Sequence, residues 1–171
     1  APRRPVLRPT MPTPAQVREI PQLCRIAVPR DWEDVNGHVN VQYYLRMYDL
    51  TAVPMLEALG IDEDWVRRER IGLFDLEHHI WYLDEIHVGH EVTAHARFAV
   101  RNAKRTQGVL FLVDATVGRL ASAIEFVSTA ANLDTRRTVA LPEVVAARLD
   151  GLIRDQVGLG WALPQCGAMS I

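Results

Sequence analysis

The chain has 171 residues, 49% of them hydrophobic and 23% charged, with a net charge of −2 and a pI near 6.3. That length fits one domain with a substantial core, and the charge balance leaves no electrostatic footprint for nucleic acid. No apolar run approaches the ~20 residues of a membrane-spanning helix, the amino terminus lacks a hydrophobic signal core, and only Cys24 and Cys166 are present, so a soluble protein of the reducing cytoplasm is expected.

Residues 1–22 carry Pro2, Pro5, Pro9, Pro12, Pro14 and Pro21 among Arg3, Arg4, Arg8 and Arg18. Proline at that density removes backbone donors and favours extended conformations, so the segment reads as an extension outside the core. Its composition suits either a disordered segment or one draped over a partner subunit, for which Val6, Leu7 and Met11 offer some apolar area. Residues 24–28 alternate as a short first strand leading to Asp34-Val35-Asn36-Gly37-His38-Val39-Asn40. Asn36-Gly37 is a turn dipeptide, and Asn40 is a suitable N-cap for a helix starting at Val41. Val41, Tyr44, Leu45, Tyr48, Ala52, Met55, Leu56 and Leu59 recur at helical spacing and predict one buried stripe, with Pro54 inside it and Gly60 as its stop.

A short helix over 62–70 follows, with Asp62, Glu63 and Asp64 in its first turn. Strands are expected over 72–83, 91–101, 108–117 and 120–133, with turns near Gly89 and Gly118. Pro142 opens a final surface helix over 142–154, and residues 158–171 read as a fraying tail beyond a 23–157 domain. Since no helix separates the later strands, the order favours an antiparallel α+β sheet packed on one helix. The open edges of such a sheet predict a homodimer or homotetramer.

The motif is suited to acyl transfer. Asp34 is the candidate base or nucleophile, His38 is placed to polarise a carbonyl or hold Asp34, and Asn40 would fix the helix start. There the backbone N–H of Val41, with the helix dipole behind it, would stabilise an oxyanion. An inward Glu77 would add a second acid in the pocket, but a single register step turns it outward. Tyr43, Tyr44, Trp81 and Tyr82 are core aromatics by default, and cage candidates if the acyl group is cationic. Arg101, Lys104 and Arg105 near a hairpin turn are candidates for binding the phosphates of a ligand. The six histidines complete no ligand set with cysteines or carboxylates, so no metal is expected. Signatures for a serine hydrolase or a nucleotide-binding loop are missing.

D-x-x-G-H-V-N followed shortly by tyrosine resembles the 4-hydroxybenzoyl-CoA thioesterase-like branch of the hotdog-fold superfamily, over about 23–153. The stretches Leu73 to Glu77, Tyr82 to Glu85 and Leu141 to Leu149 are similar to a subgroup associated with carnitine breakdown and betainyl-CoA. The commoner form of the motif has a second asparagine where this chain has Val41. The resemblance implies a hotdog α+β fold wrapped on one long helix, subunits sharing a sheet, Asp34 as the catalytic aspartate and CoA as part of the substrate, with no other cofactor. A non-catalytic acyl-CoA binder, and an acyl-carrier-protein thioesterase or hydratase on the same scaffold, are the alternatives, since fold does not fix function.

Overall fold

The computed structural model describes residues 8–171. In chain order the elements are α1 (Pro14–Val17), β1 (Gln22–Ala27), a 3₁₀ turn (Arg30–Trp32), α2 (Gln42–Ala58), α3 (Glu63–Glu69), β2 (Ile71–Tyr82), β3 (Glu91–Arg101), β4 (Arg105–Asp114), β5 (Arg119–Asn132) and α4 (Glu143–Val157). The strands form one antiparallel sheet in the order β1-β3-β4-β5-β2. Successive strands lie side by side from β3 to β5, as hairpins require, whereas β2 closes back on β5 and occupies an edge.

Alternation gives the sheet two buried faces. On the inner one, Val92, Ala94, Ala96 and Phe98 of β3, Leu110 and Leu112 of β4 and Ile124 and Phe126 of β5 pack against α2 and α4. The α2 residues that meet them are Tyr44, Met47, Tyr48, Thr51 and Met55, a stripe spaced by three and four. Val41 and Leu45, expected in that stripe, face outward instead, at 57% and 44% exposure. The single helix wrapped by a sheet is the hotdog α+β arrangement.

Both expected loose ends are packed on the outer face. Within the predicted 1–22 extension, Thr13 caps α1 through a capping box, and Val17 and Ile20 are buried against Val109, Phe111 and Val113. Val6 and Leu7 lie outside the described residues. The predicted tail is a strap: Trp161 joins the same cluster, while Cys166 and Met169 pack on Val127. The sheet presents polar groups to these segments. His95 Nδ1 meets the Ile20 carbonyl at 3.0 Å, and the Arg97 guanidinium donates to the Trp161 and Gln156 carbonyls at 2.8 and 3.0 Å. Glu125, fully buried, accepts from the Cys166 N–H at 2.7 Å and the Gln107 amide at 2.6 Å. Each buried polar group is therefore satisfied by the strap or by its neighbours, which is the condition for its burial.

Element boundaries move slightly from the expected ones. The strand expected over 108–117 begins at Arg105 and stops at Asp114, because Asp114 Oδ1 accepts the N–H groups of Thr116 and Val117 and turns the chain there.

Candidate active site

The turn before α2 is built by its own backbone. Gly37 sits at φ +82°, where a side chain would be strained, and its N–H donates to the Asp34 carbonyl at 3.0 Å. Asp34 N–H donates to the His38 carbonyl at 3.0 Å, which brings the two residues to the ends of one loop. Asp34 Oδ1 accepts the Asn36 N–H at 2.8 Å, leaving Oδ2 without a partner among the described residues. His38 Nδ1 lies 3.1 Å from the Val39 carbonyl, and that bond outweighs desolvation and, with the smaller help of the Asp34 and Glu85 charges, holds its pKa above the ordinary imidazole value.

The helix starts one residue later than expected, at Gln42, whose N–H donates to Asn40 Oδ1 at 3.2 Å. Asn40 is thus the side chain that caps the start, while Tyr43 N–H donates to the Asn40 carbonyl. Among the described residues the Val41 N–H has no hydrogen-bond partner, and Val41 borders a pocket of about 510 Å³. A free donor at a helix start is the arrangement that stabilises a developing oxyanion.

His38, Val39, Tyr44, Tyr82, Asp84 and Glu85 complete most of that pocket's wall. Tyr44 and Tyr82 meet edge to face at 5.0 Å, and the Tyr44 hydroxyl donates to the Asp84 carbonyl at 3.3 Å. Asp84 pairs with Arg119 at 3.0 Å, and that bond holds its pKa below the usual carboxylate value. The pocket wall itself carries two carboxylates and no lysine or arginine. Sequence reading missed Asp84 and Glu85 as pocket residues; their signal was a carboxylate pair directly after the strand that ends in Tyr82.

Other predicted positions fall elsewhere. Glu77 turns away from α2: it pairs with Val127, whose side chain lies on the outer face, and it is exposed. A bulge at Leu76, between Asp75 and Glu77, shifts the alternation. The inward carboxylate is instead Asp75, which accepts from Ser128 Oγ at 2.6 Å and Tyr48 OH at 3.2 Å and lies 3.2 Å from His78 Nε2. Burial alone would raise its pKa, but the His78 and Ser128 hydrogen bonds hold it low; burial beside this carboxylate pushes the Tyr48 phenol far up.

Trp81 also faces outward, packed beside Val127 and Cys166, so it does not line this pocket. Tyr43 stacks on Trp32 at 4.9 Å and donates to the Asp31 carbonyl at 3.2 Å, a clamp on the first helical turn. Arg101 is engaged by Asp150 through two hydrogen bonds, one of 2.7 Å. Lys104 and Arg105 are exposed at the opposite end of the sheet from the pocket: Arg105 pairs with Thr129 and Tyr82 with Ser122, about 23 Å of strand apart.

A relative in Ruegeria pomeroyi, named L-carnitine dehydrogenase/betainyl-CoA thioesterase, is 27% identical over 135 residues, which are 79% of this chain. The chain spans only 27% of that relative's length. Among solved structures, a candidate thioesterase from Pseudomonas putida superposes with a TM-score of 0.73 at 25% identity, over 89% of this chain and 96% of that one. A Staphylococcus aureus hypothetical protein in complex with CoA also gives 0.73, at 23% identity over 85% and 97% of the two chains. A 1,4-dihydroxy-2-naphthoyl-CoA thioesterase from Synechocystis gives 0.66 at 15% identity, over 75% and 95%. The family model described as the thioesterase-like superfamily matches residues 28–149, from the end of β1 through the Asp34 turn to α4. The domain described has the hotdog fold, and the chain belongs to the thioesterase-like superfamily.

Proposed function

We propose that this protein hydrolyses a small acyl-CoA to the free acid and CoA, and that the acyl group it favours is compact and cationic, as in betainyl-CoA. Water attacks the thioester carbonyl as Asp34 Oδ2 takes its proton, the Val41 N–H receives the oxyanion, and the carbon–sulfur bond breaks as CoA leaves as its thiolate. His38, beside Asp34 and at the pocket wall, supports the developing charge. These steps run on protein groups and water, with CoA entering only as part of the substrate.

The observation that carries the cationic reading is the lining of the pocket: Tyr44 and Tyr82 with Asp84 and Glu85, and no lysine or arginine. In a betainyl group the quaternary nitrogen is two bonds from the carbonyl carbon, so it must lie in the same pocket as the oxyanion donor. Aromatic faces and carboxylates favour such a cation. The relative named as a betainyl-CoA thioesterase supports the same substrate class.

We also infer that two copies join through β2. This edge strand is 12 residues long and exposes Phe74, Leu76 and Tyr82, with Val41, at the start of α2, meeting Tyr82 at the pocket, an apolar edge that an isolated chain would not leave open. Cys24 and Cys166 are both unpaired, which suits the reducing cytoplasm.

The test is free-thiol release from betainyl-CoA, its neutral isostere 3,3-dimethylbutanoyl-CoA, and aromatic and straight-chain esters. Betainyl-CoA is expected to lead its isostere by about 2- to 30-fold, the range of a cation–π contact. D34A should lose about 10²–10⁴ in kcat. Equal rates for the isostere would overturn the cationic reading alone; absence of release from every ester would overturn the hydrolase reading.

A further inference from the structure

The turn that presents Asp34 leans on the connection between β2 and β3. Two hydrogen bonds make that link: Val39 N–H to the Ile86 carbonyl at 2.8 Å, and His87 Nδ1 to the Gly37 carbonyl at 3.0 Å. Among the described hydrogen bonds, the Gly37 carbonyl has no other donor. Gly37 is also the residue of the turn with positive φ, so its peptide plane is the part of the loop with the least intrinsic restraint.

His87 is itself well anchored. Its carbonyl accepts the His90 N–H at 3.1 Å, its ring meets the His90 ring edge to face at 5.5 Å, and its Nε2 lies 3.7 Å from Glu85. His90 Nδ1 in turn sits 2.6 Å from the carboxylate of Asp114, a buried residue at the end of β4. A continuous run of contacts therefore joins the end of β4 through His90 and His87 to the Gly37 loop, which lies 50 residues before His87 in the chain.

We propose that His87 is a positioning residue for the reaction: by donating from Nδ1 to the Gly37 carbonyl it fixes the turn, and so sets the spacing between the Asp34 carboxylate and the Val41 N–H. In this role it acts through the turn, and it does not line the pocket itself. The kinetic consequence rests on the thioesterase reading; the structural one does not. Both groups must meet one carbonyl carbon, and a displacement of about 1 Å in such a pair costs up to 10²-fold in rate. The Val39–Ile86 bond survives without His87, so a partial loss is expected.

The test compares His87→Ala with His87→Asn, whose amide nitrogen can take the place of Nδ1. His87→Ala should lower kcat about tenfold with KM within twofold of wild type, and His87→Asn should recover most of that loss. Amide hydrogen exchange at Asp34 and Gly37, whose N–H groups close the turn, should accelerate in His87→Ala and return in His87→Asn. A kcat within twofold of wild type in His87→Ala, or an equal loss in both variants, would overturn the proposal. If wild type releases no thiol from any acyl-CoA, the hydrolase reading fails and the exchange comparison alone decides whether His87 holds the turn.

Discussion

Trp161→Ala tests whether the carboxyl-terminal strap belongs to the folded domain. The indole is 8% exposed, meets Phe111 edge to face at 5.8 Å, lies 4.4 Å beneath the Arg97 guanidinium carbon and donates from Nε1 to Glu19 at 3.2 Å. Truncating a buried tryptophan costs about 3–5 kcal/mol, of which the cation–π contact contributes about 0.5–2. In a chain of this size, each kcal/mol shifts Tm by roughly 2–4 °C, so a fall of about 10 °C is expected. Urea and thermal unfolding measure it, and the double variant with Arg97→Met should show coupling of about 1 kcal/mol or more, because the two side chains are in contact. Thiol release should be unchanged, since the strap covers the sheet face opposite the pocket. A loss under about 1 kcal/mol would refute the reasoning, because it would mean that the strap is not packed in solution.

The folded state favours the proton on His38, whose pKa is raised by its bond to the Val39 carbonyl and by Asp34 and Glu85. The associated stabilisation is complete below the unfolded value near 6.5 and disappears as pH rises through the higher folded value. Paired unfolding titrations of wild type and His38→Gln should therefore differ most on the acid side of that window; a difference that grows with pH would contradict the assignment. Asp75→Ala strands the hydroxyls of Tyr48 and Ser128 and should cost about 1–2 kcal/mol, at the lower end because its side chain is 38% exposed. Glu77→Ala should stay within about 0.5 kcal/mol, and equal effects in the two variants would place the bulge wrongly. Gly108→Ala puts a methyl group 2.9 Å from the Arg97 carbonyl and 2.8 Å from Phe126, so a loss of about 1–3 kcal/mol is expected in a thermal melt, and a neutral result would refute that packing.

Helix α2 and the four long strands were legible because their periods, 3.6 and 2, are written in consecutive residues. The Asp34 turn was legible for a related reason: Asn-Gly and a capping Asn act over a few positions. Glu77 was not. The bulge at Leu76 depends on how β2 fits β5: two positions apart, Asp75 and Glu77 would share a face, and the one inserted residue leaves Asp75 inward and turns Glu77 outward. The strap residues Trp161 and Cys166 carry no period, because each is held by a partner far away in sequence, Arg97 and Glu125. Arg97 and Glu125 are charged residues on the outer face of their strands, and the chain laid over them makes them interior. Lys104 and Arg105 were legible as a basic turn, but the direction of β4 decides which end of the sheet carries it.

The pairing of Arg97 and Glu125 with strap backbone also has a bearing on the order in which the protein can fold during synthesis. Both charged residues leave the ribosome well before the carbonyl of Trp161 and the N–H of Cys166 that complete them. Until that last segment arrives, the nascent sheet carries a guanidinium and a carboxylate set among Val109, Phe111 and Val127 with no strap to cover them. Residues 160–171 therefore act as a late checkpoint on an otherwise finished sheet, and translation pauses before residue 160 would hold the sheet in a state prone to association.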